Sequence, residues 1–138
     1  MAAATSPEAW IPFLAGVEAV VNCAGVLQDS ARGSTQAVHA GAASALFHAC
    51  ETLGIRRVIH FSAIGVDRER PSSFSATKMQ GDAALMASDL DWVILRPSVV
   101  LGRPVFGASA LIGGLAALPV VPSMPDTGLL QVVQLEDV

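Results

Sequence analysis

Apolar residues recur along this chain in two rhythms. In "STQAVHAGAASALFHACETLG" (34–54), Val38, Ala42, Ala45, Leu46, Ala49 and Leu53 repeat at helical spacing, and Gly54 supplies a C-terminal stop. Shorter runs are apolar almost throughout: "VEAVVNC" (17–23), "RVIHFS" (57–62), "WVILR" (92–96) and "LQVVQL" (130–135). Their length and the turn residues or charges around them mark buried strands. Further helices are expected over "SPEAWIPFLAG", from about Pro71 to Ala87, and near 108–118. The first would start at Ser6 as N-cap with Pro7 at the first helical position, and would set Trp10, Phe13 and Leu14 on one face. Apolar strands joined by helices mean parallel pairing, because parallel neighbours need long crossovers and leave both sheet faces to be covered. The expected fold class is therefore α/β, a doubly wound parallel sheet. Ligands in such sheets bind outside the carboxyl ends of the strands, which directs attention to the loops after Cys23, Ser62 and Arg96.

The 138 residues suffice for one domain with a core, and at 52% apolar the chain is too hydrophobic for a disordered one. A net charge of −4 and no basic stripe exclude a nucleic-acid partner. Cys23 and Cys50 make no disulfide framework, and "MAAATSPEAW" has neither the basic start nor the apolar run of a secretory signal. A cytoplasmic setting is the expectation. The segment Pro104 to Pro125 is uncharged and about as long as a bilayer span, but Gly107, Gly113, Gly114 and Pro119 interrupt it. A short buried helix with a Pro-rich loop is expected, and contact with a membrane surface or a partner complex through 105–124 stays open. His39, His48 and His60 have no metal-ligand spacing. Glu136 and Asp137 read as a helix N-cap rather than a catalytic pair.

The loops carry a resemblance. "GVEAVVNCAGVLQDS" resembles the fourth strand and following loop of the extended and atypical short-chain dehydrogenases, and "GIRRVIHFSAIGVD" their fifth strand. "SSFSATKMQGDAAL" sits where their Tyr-x-x-x-Lys helix belongs. "DWVILRPSVVLGRP" resembles the sixth strand and its cofactor-side turn, and "LQVVQLEDV" a later strand. The branch it is most similar to is the NAD(P)-dependent epimerase/dehydratase-like proteins, related to the NAD(P)H-binding accessory subunit of respiratory complex I. The resemblance implies a Rossmann-like sheet and NAD or NADP as cofactor, with an unidentified small-molecule substrate in complete relatives. It also implies that residues 1–138 are the carboxyl-side part of the domain, from strand four onward. The amino-terminal half with the Gly-rich phosphate loop is not found: no G-x-x-G-x-x-G lies after any strand, and "GASALIGG" (107–114) is glycine-rich but leads into the wrong context for that loop. A fragment, a predicted reading frame and a shortened gene are all compatible with this.

In the family the Tyr handles the substrate proton while the Lys lowers the phenol pKa and holds the nicotinamide ribose. Carried over, Lys78 keeps its place and Phe74 stands where the Tyr is expected, with the ring kept and the proton lost. The plainer alternative is an amphipathic helix with Phe74 buried and Lys78 in solvent. Ser62 ends the fifth strand and is the candidate third hydroxyl, or only a strand-end hydrogen-bonding residue. The family's Ser or Thr falls two positions later, at Ile64. Cys23, Ala24 and Gly25 would let a backbone approach the adenine-side ribose, Gly25 through an unusual φ; a tight strand-to-loop turn is the alternative. Ala63 adjoins Ser62 in the cofactor-side loop. Pro97, Ser98, Val99 and Val100 would bring backbone to the nicotinamide, and Arg96 reads as a structural ion-pair residue. The resulting expectation is an NAD(P)(H)-binding, oxidoreductase- or epimerase-like part-domain with a disabled catalytic pair. A non-catalytic dinucleotide-sensing or assembly subunit and an incomplete product without a function of its own are the alternatives. Since strand four normally pairs with strand one, 17–23 is expected as an exposed edge prone to self-association.

Overall fold

A computed structural model describes residues 4–30, 33–103, 108–120 and 131–138. They fall into two compact units, Met1–Arg96 and Pro97–Val138.

The first unit is built on three parallel strands, β1 (Ala19–Asn22), β2 (Arg57–Phe61) and β3 (Asp91–Leu95), in the order β1-β2-β3. The register sets Val20 beside Val58 and Trp92, and Asn22 beside His60 and Ile94. Neighbours in register share a sheet face, and Val58 and His60 are each 1% exposed on that face. Two helices cover it. The sequence 34–54 forms a π-helical segment, Gln36–Ala42, that continues into α2 (Ala43–Leu53). Gly54 ends α2 at φ 72, the left-handed stop its position predicts. The other is α3 (Ser73–Met86), with Ser72 as N-cap accepting from the Ser75 N–H at 3.2 Å. Leu46, Phe47, Ala49 and Cys50 pack with Val58, Leu85 and Leu90 in one cluster. Burying a side chain such as Phe47 or Leu85 is worth about 1.5–3 kcal/mol, so this cluster holds α2 and α3 on the sheet. Within this unit the opposite sheet face presents Val21, Ile59, Val93 and Leu95, all exposed.

The first expected helix is different from its expectation. Pro7–Ala9 is a 3-10 turn and only Ile11–Leu14 (α1) is α-helical. Ser6 makes no side-chain cap bond. Pro12 removes a backbone donor from this stretch, so a continuous helix with one shared face does not form. Leu14 is buried while Phe13 is 76% exposed.

In the second unit β4 (Val99–Leu101) pairs in parallel with β5 (Val132–Gln134), and α4 spans Ala108–Ala116. Glu136 and Asp137 lie inside a 3-10 turn, Leu135–Asp137, rather than capping a helix. Among the described residues no helix is long and apolar enough to cross a membrane. Of the stretch 105–124, positions 105–107 and 121–124 lie outside the described residues, as does Leu130 of the expected last strand. Leu111, Ile112 and Leu118 are exposed, not buried as expected of the helix near 108–118.

Candidate functional site

The buried residues of α3 are Thr77, Lys78, Gly81, Asp82 and Leu85. That spacing puts them on one face, which lies against the carboxyl ends of β1 and β2. Polar side chains are therefore driven into a region where strand-end carbonyls need partners.

Lys78 supplies one such partner. Its Nζ donates to the Phe61 carbonyl at 2.7 Å and to the Ala24 carbonyl at 3.2 Å. Lys78 is buried, not in solvent. Burial lowers its pKa, and the charges of Asp82 and Cys23 partly oppose this. An ammonium has three protons; two are committed to these carbonyls, which leaves one uncommitted among the described residues. Gly25 lies over the same atom. A Cβ there would meet Lys78 Nζ at 3.5 Å and His39 Nε2 at 3.7 Å. Gly25 has no positive φ, so the close approach and not an unusual backbone accounts for its small size. The loop after β1 and the ammonium of Lys78 thus fit a dinucleotide ribose. Cys23 is exposed at the start of that loop, and the Ala24 N–H donates to Asn22 Oδ1.

Phe74 stands one turn before Lys78. Its ring meets the edge of His39, with centroids 5.1 Å apart and planes at 87°, a favoured aromatic geometry. No hydroxyl is present at this position to handle a proton. His39 is the residue the sequence reading missed. It projects from the π-helical segment and is 1% exposed. Its Nε2 accepts from the Val26 N–H at 3.0 Å, and its Nδ1 lies 2.9 Å from Thr77 Oγ1. Burial, then the charges of Lys78 and His60, push His39 down to about 4. A lone histidine on an apolar helical face carries no sequence signal beyond its polarity; the π-bulge that aims it, a feature frequent at functional sites, is visible only in three dimensions.

Ser62 is placed elsewhere. Its N–H donates to the Leu95 carbonyl at 2.8 Å. Its buried side chain shares the sheet face of His60, and its Oγ stands near the Asp82 carboxyl without a hydrogen bond of good geometry among the described residues. Both groups face Asp82, which is fully buried. His60 Nε2 stands 3.4 Å from Asp82 Oδ1, long for a hydrogen bond, whereas Arg96 makes contacts of 3.1 and 2.9 Å to Oδ2. Burial raises the Asp82 carboxyl, and His60, Ser62 and Arg96 more than offset it, leaving it below its ordinary value. Arg96 also reaches Asp67 at 3.5 Å, so it is the ion-pair residue expected. Asn22 Nδ2 lies 3.1 Å from His60 Nδ1 and completes the row Asn22–His60–Asp82–Arg96. This row adjoins the Lys78 contacts, since Asn22 Oδ1 accepts from the Ala24 N–H while Lys78 donates to the Ala24 carbonyl. Ala63 is half-buried just after Ser62, and Ile64 is exposed.

Pro97, Ser98, Val99 and Val100 belong to the second unit. Val99 and Val100 form β4 rather than the expected turn, paired with Val132 and Val133, and Ser98 Oγ donates to the Gln131 carbonyl. The structure thus gathers Ala24, Gly25, Phe74 and Lys78 with His39 and Thr77, places Ser62 with Asp82, and keeps 97–100 in their own unit. Among the described residues no cluster of three or more metal-ligating side chains occurs.

A family model described as NAD(P)H-binding matches residues 1–111. Among curated proteins the chain is similar to a ceramide reductase of Caulobacter vibrioides, 24% identical over 96% of this chain and 41% of that one. Among solved structures it is similar to a Bacillus halodurans protein described as an NAD-dependent epimerase/dehydratase, with 26% identity, a TM-score of 0.59, and coverage of 70% of this chain and 46% of that one. The Bordetella bronchiseptica enzyme WbmG, solved with NAD and UDP, shares the fold at a TM-score of 0.64, with 22% identity and coverage of 75% and 39%. The chain spans less than half the length of each of these relatives.

Proposed function

This chain belongs to the NAD(P)H-binding family, and on that footing we propose that it contacts the ribose groups of NAD or NADP through Ala24, Gly25, Ala63 and Lys78. The observation that carries this reading is the Lys78 ammonium, fixed by the carbonyls of Phe61 at the end of β2 and Ala24 beyond β1, with one proton uncommitted among the described residues, under a glycine loop. Bound dinucleotide would supply a hydride donor or acceptor. The chain's own part is to hold the ribose and to order the loop.

Phe74 and Ile64 favour a binding or sensing role over turnover, because neither can donate or accept a proton. The names of the relatives favour hydride-transfer chemistry in the complete proteins. Without a Gly-rich phosphate turn in this sequence, most of the usual pyrophosphate anchoring is missing. Affinity should then be no tighter than about millimolar, near 4 kcal/mol. Titration of the 15N-labelled chain with NADH and NADPH tests this. Saturable shifts centred on Gly25, Ala63 and the Lys78 turn are expected; micromolar binding, or shifts confined to other surfaces, would overturn the reading.

Among the described strands β1 pairs only with β2, which leaves its other edge to pair with a second copy. Light scattering at rising concentration should report association, and a monomer throughout would end that part of the proposal. Free thiols and a nicotinamide ligand suit the cytoplasm.

A further inference from the structure

Two of the hydrogen bonds made by His39 fix more about the site than the Lys78 contacts do. A backbone N–H can only donate, so His39 Nε2, 3.0 Å from the Val26 nitrogen, must be the bare ring nitrogen. The proton of a neutral ring then sits on Nδ1 and is donated to Thr77 Oγ1 at 2.9 Å. Thr77 in turn donates to the Ser73 carbonyl at 2.9 Å, one turn back in α3. Every group in this relay has one direction open to it. The relay joins three elements: the π-helical segment that carries His39, the loop after β1, and the turn of α3 next to Lys78. The Phe74 ring closes against the same imidazole. On the loop side, Gly25 is the residue held between His39 Nε2 and Lys78 Nζ.

We propose that His39 is a positioning residue which, as the neutral Nδ1–H tautomer, clamps the loop Ala24–Val26 onto α3 so that Gly25 lies over Lys78. It touches neither dinucleotide nor substrate. Its work is to keep the loop from swinging away from the Lys78 ammonium, whose bond to the Ala24 carbonyl, at 3.2 Å, is the longer of its two. The significance for binding rests on the dinucleotide reading above; the clamp itself does not.

The proposal predicts which substitutions are tolerated. Gln offers an acceptor and a donor on one side chain and can repeat the relay. Leu fills space and offers neither. The test is amide hydrogen exchange and ring 15N spectroscopy on the free 138-residue chain, as wild type, His39→Gln, His39→Leu and Thr77→Val. In the wild type, the ring spectrum should show Nδ1 protonated and Nε2 bare at about pH 7. The Val26 amide should be protected in wild type and His39→Gln, and should exchange about tenfold faster in His39→Leu, the worth of one net hydrogen bond. The β2 amide of Ile59 should not change and serves as the internal check on folding. Thr77→Val should shift the ring signals while leaving Val26 bonded. An Nε2–H ring, or Val26 protection unaltered in a folded His39→Leu, would overturn the clamp. If His39→Leu does not fold, His39→Gln decides: loss of Val26 protection there overturns the proposal, and retention supports it. NADH titration of the same proteins is read separately. No NADH shifts in the wild type would end the dinucleotide reading, while the clamp would still be judged on Val26.

Discussion

Lys78 Nζ donates to the Phe61 carbonyl at 2.7 Å, across 17 residues of sequence. The last residue of β2 is thereby tied to the middle of the following helix, and the same ammonium holds Ala24 beyond β1. The lysine proposed above as a ribose contact is thus also a structural bolt, and the proposed role can be separated from the structural one by experiment.

Lys78→Met keeps the stem and removes the donor. It leaves two carbonyls short of a partner, at about 1–3 kcal/mol for each that stays buried. Urea unfolding should show a lower midpoint with an unchanged slope, and NADH-induced shifts at Gly25 should disappear. A stability equal to wild type would mean that water replaces the ammonium.

Phe74→Tyr sets a phenol one turn from Lys78. A positioned acid or base is worth about 10²–10⁴-fold in rate, but only where hydride donor and substrate are already held together. In this chain alone no reductase activity should be detected. In a version extended upstream by a Gly-rich phosphate-binding half, the substitution should raise nicotinamide-dependent turnover, and Lys78→Ala should abolish the gain. If the extended Phe74 form turns over fast and neither change alters it, Phe74 is a core residue and no more.

Stability should fall in two stages as pH drops. His39 is lowered from 6.5 to about 4 by burial and by the charges of Lys78 and His60, with Asp29 opposing. The unfolded chain therefore takes up the proton first. His39's contribution is complete above 6.5 and is lost progressively down to about 4, a change on the order of 3 kcal/mol. Asp82 is held below its ordinary 3.8, since His60, Ser62 and Arg96 outweigh burial. Its contribution is present above 3.8 and is lost as pH falls through the lowered folded value. Chemical unfolding across this range should show the upper stage flattened in His39→Gln and the lower stage in Asp82→Asn. Identical pH profiles for wild type and both variants would contradict the assignment.

Two glycines should respond oppositely to alanine. At Gly81 a Cβ would collide with the His39 backbone carbonyl oxygen, which cannot swing aside. Gly81→Ala should cost about 1–3 kcal/mol or more, as overpacking does. At Gly25 the same atom would meet Lys78 and His39 only at ordinary contact distances of 3.5 Å and beyond. Gly25→Ala should leave thermal stability near wild type while weakening NADH-induced shifts, since the added methyl stands where the ribose is expected.

Much of this molecule is legible from the order of its residues. Apolar runs and helical repeats in alternation dictate parallel strands with helical crossovers, because backbone groups in an apolar interior must pair and parallel strands cannot be joined by tight turns. Gly54 as a helix stop and Arg96 as an ion-pair residue follow from local chemistry, which acts over a few residues. So does the Phe74–Lys78 spacing, which puts both on one face of α3. What a side chain meets across the chain is not encoded in spacing. Pro12 splits the first helix and leaves Phe13 outside, a competition between backbone and packing that periodicity does not weigh. Ser62 turns toward Asp82 because strand alternation gives it the face of His60, not that of Phe61. His39 gains its role from a π-bulge and from two partners 13 and 38 residues away. Only the tertiary structure brings those three together, since a hydrogen bond depends on atoms meeting within about 3 Å, and sequence fixes that distance only through the whole fold.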